Sequence, residues 1–440
     1  MKRRNFLKSG LVGSLTFPAI VRSQSVSPAV KIAGVGIGGM GRTNLTNAAG
    51  ANIVALCDVD HDYAASTFAQ YPGAKPYFDL GDMLNRQLEI EGVVIASPDH
   101  THASLVKAAL EAGKHVYCQK PLTHDIAEAR YLARLAAQYP DAAAVMGIQY
   151  HSSSGMAQIS DWIRAGLIGD VTRVIAWCSL TYRPFGHARW STLLDRPPAE
   201  KTPIPGTLDW DLWMGPRQMR DFHPTYHPGR WRAWWDFGCG MMGDRGVHTL
   251  DAACYTLNLA APETIELKSI EGENEYVHPD KAHIVYEFPA RGEKPPLTLD
   301  WYSGSTPDEV AELTGGQPAG DDQGGALFIG SCGMISHGVY PGRIRLHPAE
   351  LKKDAAEIPA VHPRFKGSHE AIWLDACQGK GPASSDFAYA AKLTELTHLG
   401  NLAIKLGGKI QWDAKNAQVT NRSGAADLIS RPRRQGWSLD

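Results

Sequence analysis

The chain has 440 residues, of which 43% are apolar, and its formal net charge is −2 at pH 7. Such a chain can bury the cores of two globular domains, and its near-neutral charge gives no electrostatic reason to expect nucleic acid or an anionic membrane as a partner. Its seven scattered cysteines include no CxxC pair, which argues against a zinc site or a disulfide framework, and we predict no metal.

The chain begins with the pattern of an export signal. Residues 3–8 read RRNFLK, and an uncharged stretch follows over residues 9–21. That stretch is shorter than the roughly 20 apolar residues of a transmembrane helix. We therefore expect residues 1–27 to form a twin-arginine signal peptide that directs the folded protein to the periplasm through the twin-arginine export machinery. An uncleaved membrane anchor is the alternative.

Buried-strand patterns alternate with helix patterns from residue 30 onward. Strands are predicted at residues 30–35, 52–57, 92–96, 115–117 and 142–148. Helices are predicted at residues 44–49, 103–112 and 126–137. Continuous apolar strands separated by helices are typical of a doubly wound parallel sheet, so we predict a dinucleotide-binding α/β domain over residues 28–150.

A glycine fingerprint follows the first strand and consists of Gly36, Gly38, Gly39, Met40 and Gly41. Gly36 allows a tight turn, Gly38 lets the backbone approach a pyrophosphate, and Gly41 lets helix and strand pack closely. Asp58 ends the second strand, where an acid binds ribose hydroxyls and favours NAD over NADP. A purely structural glycine-rich turn is the alternative.

Polar residues follow the third and fourth strands, whose carboxyl ends face the ligand crevice of such a sheet. Ser97 and His102 are placed near the cofactor, although this segment could also simply cap the next helix, and we favour no catalytic role for His100 or His102. Lys120 ends the fourth strand, where it could orient a substrate hydroxyl or transfer a proton. A solvated surface lysine is the competing interpretation.

The second half of the chain, residues 151–440, has a different pattern of predicted helices and strands. A helix is predicted at residues 162–167 and a strand at 170–180, followed by a long irregular loop at 182–238 that is rich in Pro, Trp, His and Arg. Short strands are then predicted at residues 264–271, 283–288, 297–302, 326–330 and 343–347, and helices at 369–378 and 388–406. This pattern predicts a second, mostly antiparallel sheet.

Two further groups of residues are candidates for chemistry. Asp244 and His248 are spaced to share one face of a helix, so that the acid could tune an imidazole that takes a hydroxyl proton. A core histidine is the alternative. In the long loop, His223 and His227 lie close to three tryptophans, a combination that suits polyols and sugar rings, although ordinary loop packing or a zinc site with His248 would use the same residue types.

Five stretches of the sequence together resemble the glucose-fructose oxidoreductase/inositol dehydrogenase/MocA (Gfo/Idh/MocA) family. They are the glycine fingerprint, ALCDVD at residues 55–60, SPDHTH at 97–102, AGKHVYCQKP at 112–121 and GDRGVHTLD at 243–251. The resemblance covers nearly all of the chain after the signal. With the twin arginines and WRAWWDFG at 231–238, the chain is similar to an exported branch of that family. Where the family usually has Glu-Lys-Pro, this chain has Gln119, which removes a charge beside Lys120.

The resemblance implies an N-terminal Rossmann domain, a C-terminal α/β domain with a large, mostly antiparallel open sheet, and a homo-oligomer, either a dimer or a tetramer. It implies that Lys120 contacts substrate and nicotinamide ribose, and that His248 is the acid/base with Asp244 as its neighbour. We assign the cofactor site to Gly36, Gly38, Gly39, Met40, Gly41, Asp58, Ser97, His102 and Lys120. We assign the substrate site to Lys120, Gln149, His151, Tyr226, His227, Arg230, Trp234, Trp235, Asp244 and His248.

These features together predict an NAD-dependent oxidoreductase acting on a hydroxyl of a sugar, sugar derivative or glycoside. Because cells keep no free NAD pool outside the cytoplasm, export predicts a tightly held cofactor that is reoxidised in place. One alternative is a glycosidase, lyase or epimerase that works through a transient keto-sugar. A second is a sugar-binding protein that keeps the fold without turnover.

Overall fold

The structure is a computed structural model that describes residues 29–181 and 192–439. The predicted signal peptide at residues 1–27, and residues 182–191 of the predicted loop, lie outside the described residues. Among the helices of these two ranges, none combines the length and apolarity needed to cross a bilayer. All seven cysteines lie in the described ranges, and none forms a disulfide there.

The first sheet has six parallel strands in the order β3-β2-β1-β4-β5-β6. Its strands are β1 (Lys31–Val35), β2 (Asn52–Cys57), β3 (Lys75–Tyr77), β4 (Gly92–Ile95), β5 (His115–Gln119) and β6 (Ala144–Gly147). The predicted Rossmann-type doubly wound sheet is thus confirmed. Since β1 lies between β2 and β4, the chain changes direction beside β1, and ligands of such sheets bind outside the strand ends at that point.

Helices connect these strands: α1 (Met40–Asn47), α2 (His61–Gln70), α3 (Leu80–Arg86), α4 (His102–Glu111) and α5 (Ile126–Ala136). Aspartates begin three of them, because the carboxylates of Asp60, Asp79 and Asp125 accept the first free backbone N–H groups of α2, α3 and α5. Helices α2 and α3 and the short strand β3 were not predicted, and the three residues of β3 carry no alternating apolar pattern.

The second sheet has nine strands in the order β13-β12-β11-β7-β10-β9-β8-β14-β15. Its strands are β7 (Val171–Cys178), β8 (Thr264–Glu271), β9 (Lys281–Phe288), β10 (Leu297–Ser303), β11 (Gly324–Gly330), β12 (Met334–Gly338), β13 (Arg345–His347), β14 (Lys409–Asp413) and β15 (Gln418–Val419). All described neighbours are antiparallel except β7 and β10. The predicted large, mostly antiparallel sheet is confirmed.

The remaining helices are α6 (Ser154–Arg164), α7 (Trp210–Met214), α8 (Val247–Thr256), α9 (Asp308–Leu313), α10 (Lys352–Ala356), α11 (His369–Cys377), α12 (Phe387–Leu406) and α13 (Ala426–Ile429). The 20-residue helix α12 contacts α5 of the first half and β8 of the second sheet. One continuous apolar core therefore contains residues of both sheets.

Helix α11 comes from the second half of the chain but covers a face of the first sheet. Its Trp373 is fully buried, and the indole Nε1–H donates to the Ala143 carbonyl over 3.0 Å. The indole ring also packs on Gly92, where a Cβ atom would come within 3.0 Å of it. The parallel sheet thus needs a segment more than 200 residues further along the chain to close its core.

We expect Trp373→Ala to lower the free energy of unfolding by about 3–5 kcal/mol, because it leaves a cavity where a fully buried indole packs. Trp373→Phe keeps most of the apolar volume and loses the indole donor, so its expected loss is about 1–2 kcal/mol. Urea unfolding followed by circular dichroism measures both. Losses below about 1 kcal/mol for both variants would show that α11 does not close the first sheet.

Candidate active site

A cavity of about 1100 Å³ lies outside the carboxyl ends of β1, β2, β4 and β5. The cavity wall contains residues of the glycine turn, of segment 212–240 and of the turn before α8. Both halves of the chain therefore contribute to the cavity. Its volume suits a dinucleotide with a small substrate. The predicted site residues on its wall are Gly36, Gly38, Gly39, Met40, Asp58, Ser97, Lys120, Gln149, His227, Arg230, Asp244 and His248.

The glycine turn has the geometry that a dinucleotide requires. Gly36 has φ +73°, and a Cβ atom there would lie 2.6 Å from the backbone nitrogen of Ser97. A Cβ at Gly41 would lie 2.4 Å from the Gly36 carbonyl, so Gly41 serves the packing of α1 and lies behind the cavity wall. Helix α1 has no side-chain cap and no acid in its first turn, which leaves its N-terminal N–H groups to a phosphate.

Asp58 sits at the same end of the cavity. Its Oδ2 accepts the Gly38 N–H over 3.0 Å and its Oδ1 accepts the Asp60 N–H over 3.0 Å. Burial raises the pKa of Asp58, and these backbone hydrogen bonds work against that rise. An acid held in this way at the end of β2 suits the ribose diol of NAD.

Two histidines after β4 are structural, and neither lines the cavity. His102 is buried with its Nδ1 2.9 Å from the Pro121 carbonyl and its Nε2 2.9 Å from the Ser97 carbonyl. The structure therefore does not place His102 at the predicted cofactor site: its ring contacts the segments that follow β4 and β5. His100 lies between the carbonyls of Trp213 and Phe237, and burial lowers its pKa to about 3.

Lys120 and Asp244 form an ion pair across the two halves of the chain. Lys120 Nζ donates to Asp244 Oδ1 over 2.7 Å and to the Asp244 carbonyl over 2.9 Å. The side chains are only 15% and 13% exposed. Burial by itself would raise the pKa of Asp244, but the charges of Lys120 and of two nearby arginines hold it well below the ordinary carboxyl value. Asp244 therefore stays ionised and fixes the ammonium group inside the cavity.

His248 lies in the first turn of α8, the helix that follows this aspartate. Met242–Gly246 forms a π-helical turn before α8, so the simple helical spacing predicted between Asp244 and His248 does not apply. His248 is buried on the cavity wall, and its Nδ1 has no hydrogen-bond partner among the described residues. Burial, reinforced by the charge of Lys120, lowers the pKa of His248 well below its usual value, which makes the ring a neutral proton acceptor.

Four residues predicted to bind substrate lie away from the cavity. His151 Nδ1 pairs with Asp251 over 2.9 Å. Tyr226 and Trp234 are 1% exposed in the core, and the Trp234 indole N–H donates to a backbone carbonyl over 3.0 Å. Trp235 is likewise buried, and its N–H donates to a carbonyl over 3.3 Å. Packing and hydrogen bonds within the protein occupy these four rings, so the structure does not bring them to the cavity at which the sequence predicted a sugar.

His227 does line the cavity, but at the end opposite to the predicted substrate site. Its Nε2 lies 2.8 Å from Asp60 Oδ2, immediately after β2 and near Asp58. The structure therefore places His227 beside the glycine turn rather than beside Lys120. Gln149 and Arg230 remain on the wall as predicted, and their roles stay predictions.

Sequence reasoning missed an aromatic and basic group on the cavity wall near His248. Tyr340 and Tyr150 stack with their ring centroids 4.2 Å apart, and the edge of Tyr340 faces His248 at 4.9 Å. Arg245 Nη1 donates to the Tyr340 hydroxyl over 2.6 Å. Tyr340 follows β12, far along the chain and outside any motif, so only the folded sheet brings it here.

Gln119 replaces the glutamate expected before Lys120, and it lies on the cavity wall. Its Nε2 donates to Asn44 over 3.0 Å, and Asn44 in turn donates to Glu370 of α11 over 2.6 Å. The Glu370 carboxylate is thus linked to Gln119 through the Asn44 amide, although position 119 itself has no carboxylate. Within the described residues, no three histidine, cysteine or carboxylate side chains are close enough to share a metal ion.

Comparison with known proteins identifies both halves of the chain. A model of the NAD-binding Rossmann fold of an oxidoreductase family, Gfo/Idh/MocA, matches residues 30–146. The model of that family's C-terminal α/β domain matches residues 166–288, and together the two cover more than half of the chain.

Curated relatives match over about a third of the chain. The inositol 2-dehydrogenase of Salmonella typhimurium (strain LT2) is 30% identical over 141 residues, which are 31% of this chain and 42% of the relative. The rhizopine catabolism protein MocA of Rhizobium meliloti is 33% identical over 138 residues, which are 31% of this chain and 43% of the relative. The chain thus matches less than half the length of these proteins.

Solved structures match over most of the chain and show the fold. The WlbA dehydrogenase of Bordetella pertussis, solved with NADH and UDP-GlcNAcA, aligns with a TM-score of 0.61 at 16% identity, over 88% of this chain and 99% of the other. The aldose-aldose oxidoreductase of Caulobacter crescentus, solved with glycerol, aligns with a TM-score of 0.57 at 15% identity, over 87% and 99%.

Charge variants of the ion pair should shift the titration of His248 in opposite directions. Lys120→Met removes a positive charge and should raise the pKa of His248, whereas Asp244→Asn removes a negative charge and should lower it further. Histidine Cε1–H NMR titration, with the resonance assigned by loss in His248→Gln, measures both. A His248 resonance that titrates near the ordinary value of about 6.5 in the wild type would contradict a buried neutral ring.

Proposed function

This chain belongs to the Gfo/Idh/MocA oxidoreductase family, and we propose that it is an NAD-dependent oxidoreductase acting on a secondary hydroxyl of a sugar, sugar derivative or glycoside. The observation that carries the proposal is one cavity that joins the glycine turn and Asp58 to the buried Lys120–Asp244 pair and His248. The glycine turn and the uncapped start of α1 suit the pyrophosphate of the cofactor.

His248, Lys120 and Asp244 each have a separate role in the proposed oxidation of the alcohol. NAD, when bound, supplies the acceptor for the hydride that leaves the alcohol carbon. The neutral imidazole of His248 takes the proton that leaves the hydroxyl oxygen. Lys120 donates a hydrogen bond to the same oxygen and stabilises its developing negative charge, while Asp244 holds the ammonium group in place.

The cavity wall near His248 supports a carbohydrate substrate. The Tyr150–Tyr340 stack offers an apolar ring face, and Arg245 and Gln149 offer hydrogen-bond donors around it. Relatives named for inositol and aldose chemistry are consistent with the same class, because each name describes a cyclic polyol or sugar.

The twin-arginine pattern at residues 3–8 supports a periplasmic location and a cofactor loaded before export. Outside the cytoplasm, a dehydrogenase without a free NAD pool must return its hydride to a second carbonyl or to the oxidised substrate itself. We therefore propose a retained cofactor that is recycled within the active site. By its likeness to the family, we also propose a homo-oligomer.

One observation favours a second candidate, a glycosidase, lyase or epimerase that works through a transient keto-sugar. The Tyr340 hydroxyl, bonded to Arg245 beside His248, is a second proton-transfer group in the cavity. Burial raises the pKa of Tyr340, so its phenol stays protonated and could donate a proton to a leaving oxygen. Simple hydroxyl oxidation needs no such acid.

Lys120→Ala and His248→Ala should each lower kcat by about 10²–10⁴-fold, because each removes a group that handles the hydroxyl proton or the charge on its oxygen. Turnover is measured by NADH absorbance and product analysis on a panel of cyclic polyols and glycosides, with His223→Ala, a residue away from the cavity wall, as the control. Near wild-type turnover in both variants, with circular dichroism unchanged, would refute the assignment.

Reaction in deuterated water separates the two candidates. Elimination, or epimerisation at the carbon next to the keto group, should place solvent deuterium on that neighbouring carbon, whereas plain oxidoreduction should leave it unlabelled. NMR or mass spectrometry of the recovered sugar reads the position of the label. In the first case, Tyr340→Phe should reduce product formation more than it reduces label exchange, because Tyr340 would act on the leaving oxygen.

A further inference from the structure

His227 belongs to the second half of the chain but reaches the cofactor end of the cavity. Its side chain is 8% exposed and lies on the cavity wall. The ring is edge-on to Tyr63, with centroids 5.6 Å apart, and Tyr63 itself packs over Gly38, where a Cβ atom would come within 2.2 Å of the phenol ring. His227 thus stands beside the glycine turn, above the predicted phosphate and ribose positions.

The hydrogen bonds of Asp60 determine which ring nitrogen of His227 is available. Asp60 Oδ1 accepts the N–H groups of Asp62 and Tyr63 at the start of α2, each over 3.1 Å. Asp60 Oδ2 lies 2.8 Å from His227 Nε2, and since the carboxylate only accepts, Nε2 carries the proton. In the neutral ring, Nδ1 is then a hydrogen-bond acceptor, and it is buried without a partner among the described residues.

A ribose hydroxyl is the donor that this position suits. The Asp60 N–H also donates to Asp58 Oδ1, so His227, Asp60 and Asp58 form one continuous hydrogen-bonded chain at the end of β2. Asp58 is the acid that the fold places against the ribose diol. An acceptor nitrogen beside that acid can take a hydroxyl proton of the same sugar.

The segment that carries His227 is also fastened to this strand end. The His61 N–H donates to the Thr207 carbonyl over 3.1 Å, and the Asp209 N–H donates to the Val59 carbonyl over 2.8 Å. Arg434, near the C-terminal end of the described residues, forms an ion pair with Asp211 in which Nη1 lies 2.6 Å from Oδ1. Residues 207–211 are thereby held against the segment that follows β2, and the His227–Asp60 contact adds a second attachment 16 residues beyond Asp211.

We propose that His227 is a cofactor-binding residue that closes the cleft over the adenosine ribose of NAD, with Nδ1 accepting a ribose hydroxyl and the His227–Asp60 pair opening before the cofactor leaves. This inference rests on the proposed function in taking the cofactor to be NAD. The contact would explain why the cofactor is retained, because its release requires the buried His227–Asp60 hydrogen bond between the two halves of the chain to break.

The test is the rate at which bound NADH leaves the protein. The purified protein is loaded with NADH, mixed with a large excess of NAD in a stopped-flow instrument, and followed by nicotinamide fluorescence. His227→Phe keeps an aromatic ring but has no nitrogen, and Asp60→Asn keeps an effective cap for α2 but accepts more weakly. Each variant should release NADH about ten-fold or more faster than wild type.

A double variant and a neighbouring control make the result specific. The two changes together should accelerate release no more than the larger single change, because both break the same contact. Met219→Ala alters an exposed residue of the same segment away from the cavity wall and should leave the rate unchanged. Thermal unfolding of each apoprotein checks that the fold is kept, and Asp60→Asn remains informative if His227→Phe fails to fold.

The outcomes separate the two proposals. A wild-type protein that binds NADH, with His227→Phe and Asp60→Asn both at the wild-type release rate, would overturn the inference and leave the proposed function standing. Equal acceleration by Met219→Ala would also overturn it, since general loosening of the segment would then be the cause. A wild-type protein that binds no NADH would refute the proposed function and this inference together.

Discussion

The ion pair between Lys120 and Asp244 joins the two halves of the molecule inside the cavity. Lys120 follows β5 of the parallel sheet, whereas Asp244 lies in the π-helical turn that leads into α8, and the two side chains meet at 2.7 Å with little exposure to solvent. Removing either partner would leave a buried charge uncompensated, at a cost of about 3–5 kcal/mol. The chemistry of the site and the docking of the two domains therefore depend on the same contact.

Burial around this pair assigns a protonation state to each group. Asp244 stays ionised because positive charges surround it, and His248 stays neutral because burial and Lys120 disfavour a second positive charge. One cavity therefore contains a fixed ammonium group, its counter-ion and a neutral base, which together can remove a hydroxyl proton and stabilise the oxygen left behind. At the other end of the cavity, Asp58 and the glycine turn provide the polar groups that a dinucleotide needs.

Sequence reasoning located the residues whose position follows from local rules. Gly36, Asp58 and Lys120 stand at strand ends, and the ends of parallel strands meet at one edge of a sheet. It misplaced Trp234 and His227 because their surroundings depend on packing between distant segments: a backbone carbonyl binds the Trp234 indole, and Asp60 binds His227. It could not find Tyr340, which reaches the cavity only through the pairing of β11 with β12, nor the π-helical turn before His248, since neither leaves a periodic pattern.

The most direct measurement is a crystal structure of the protein with bound NAD, because the proposed function requires one cavity to hold the whole cofactor across both halves of the chain. The predicted result is adenosine ribose beside Asp58, the pyrophosphate over the glycine turn at the start of α1, and nicotinamide beside Lys120 and His248. Nicotinamide bound away from the Lys120–Asp244 pair, or a dinucleotide bound outside this cavity, would contradict the account.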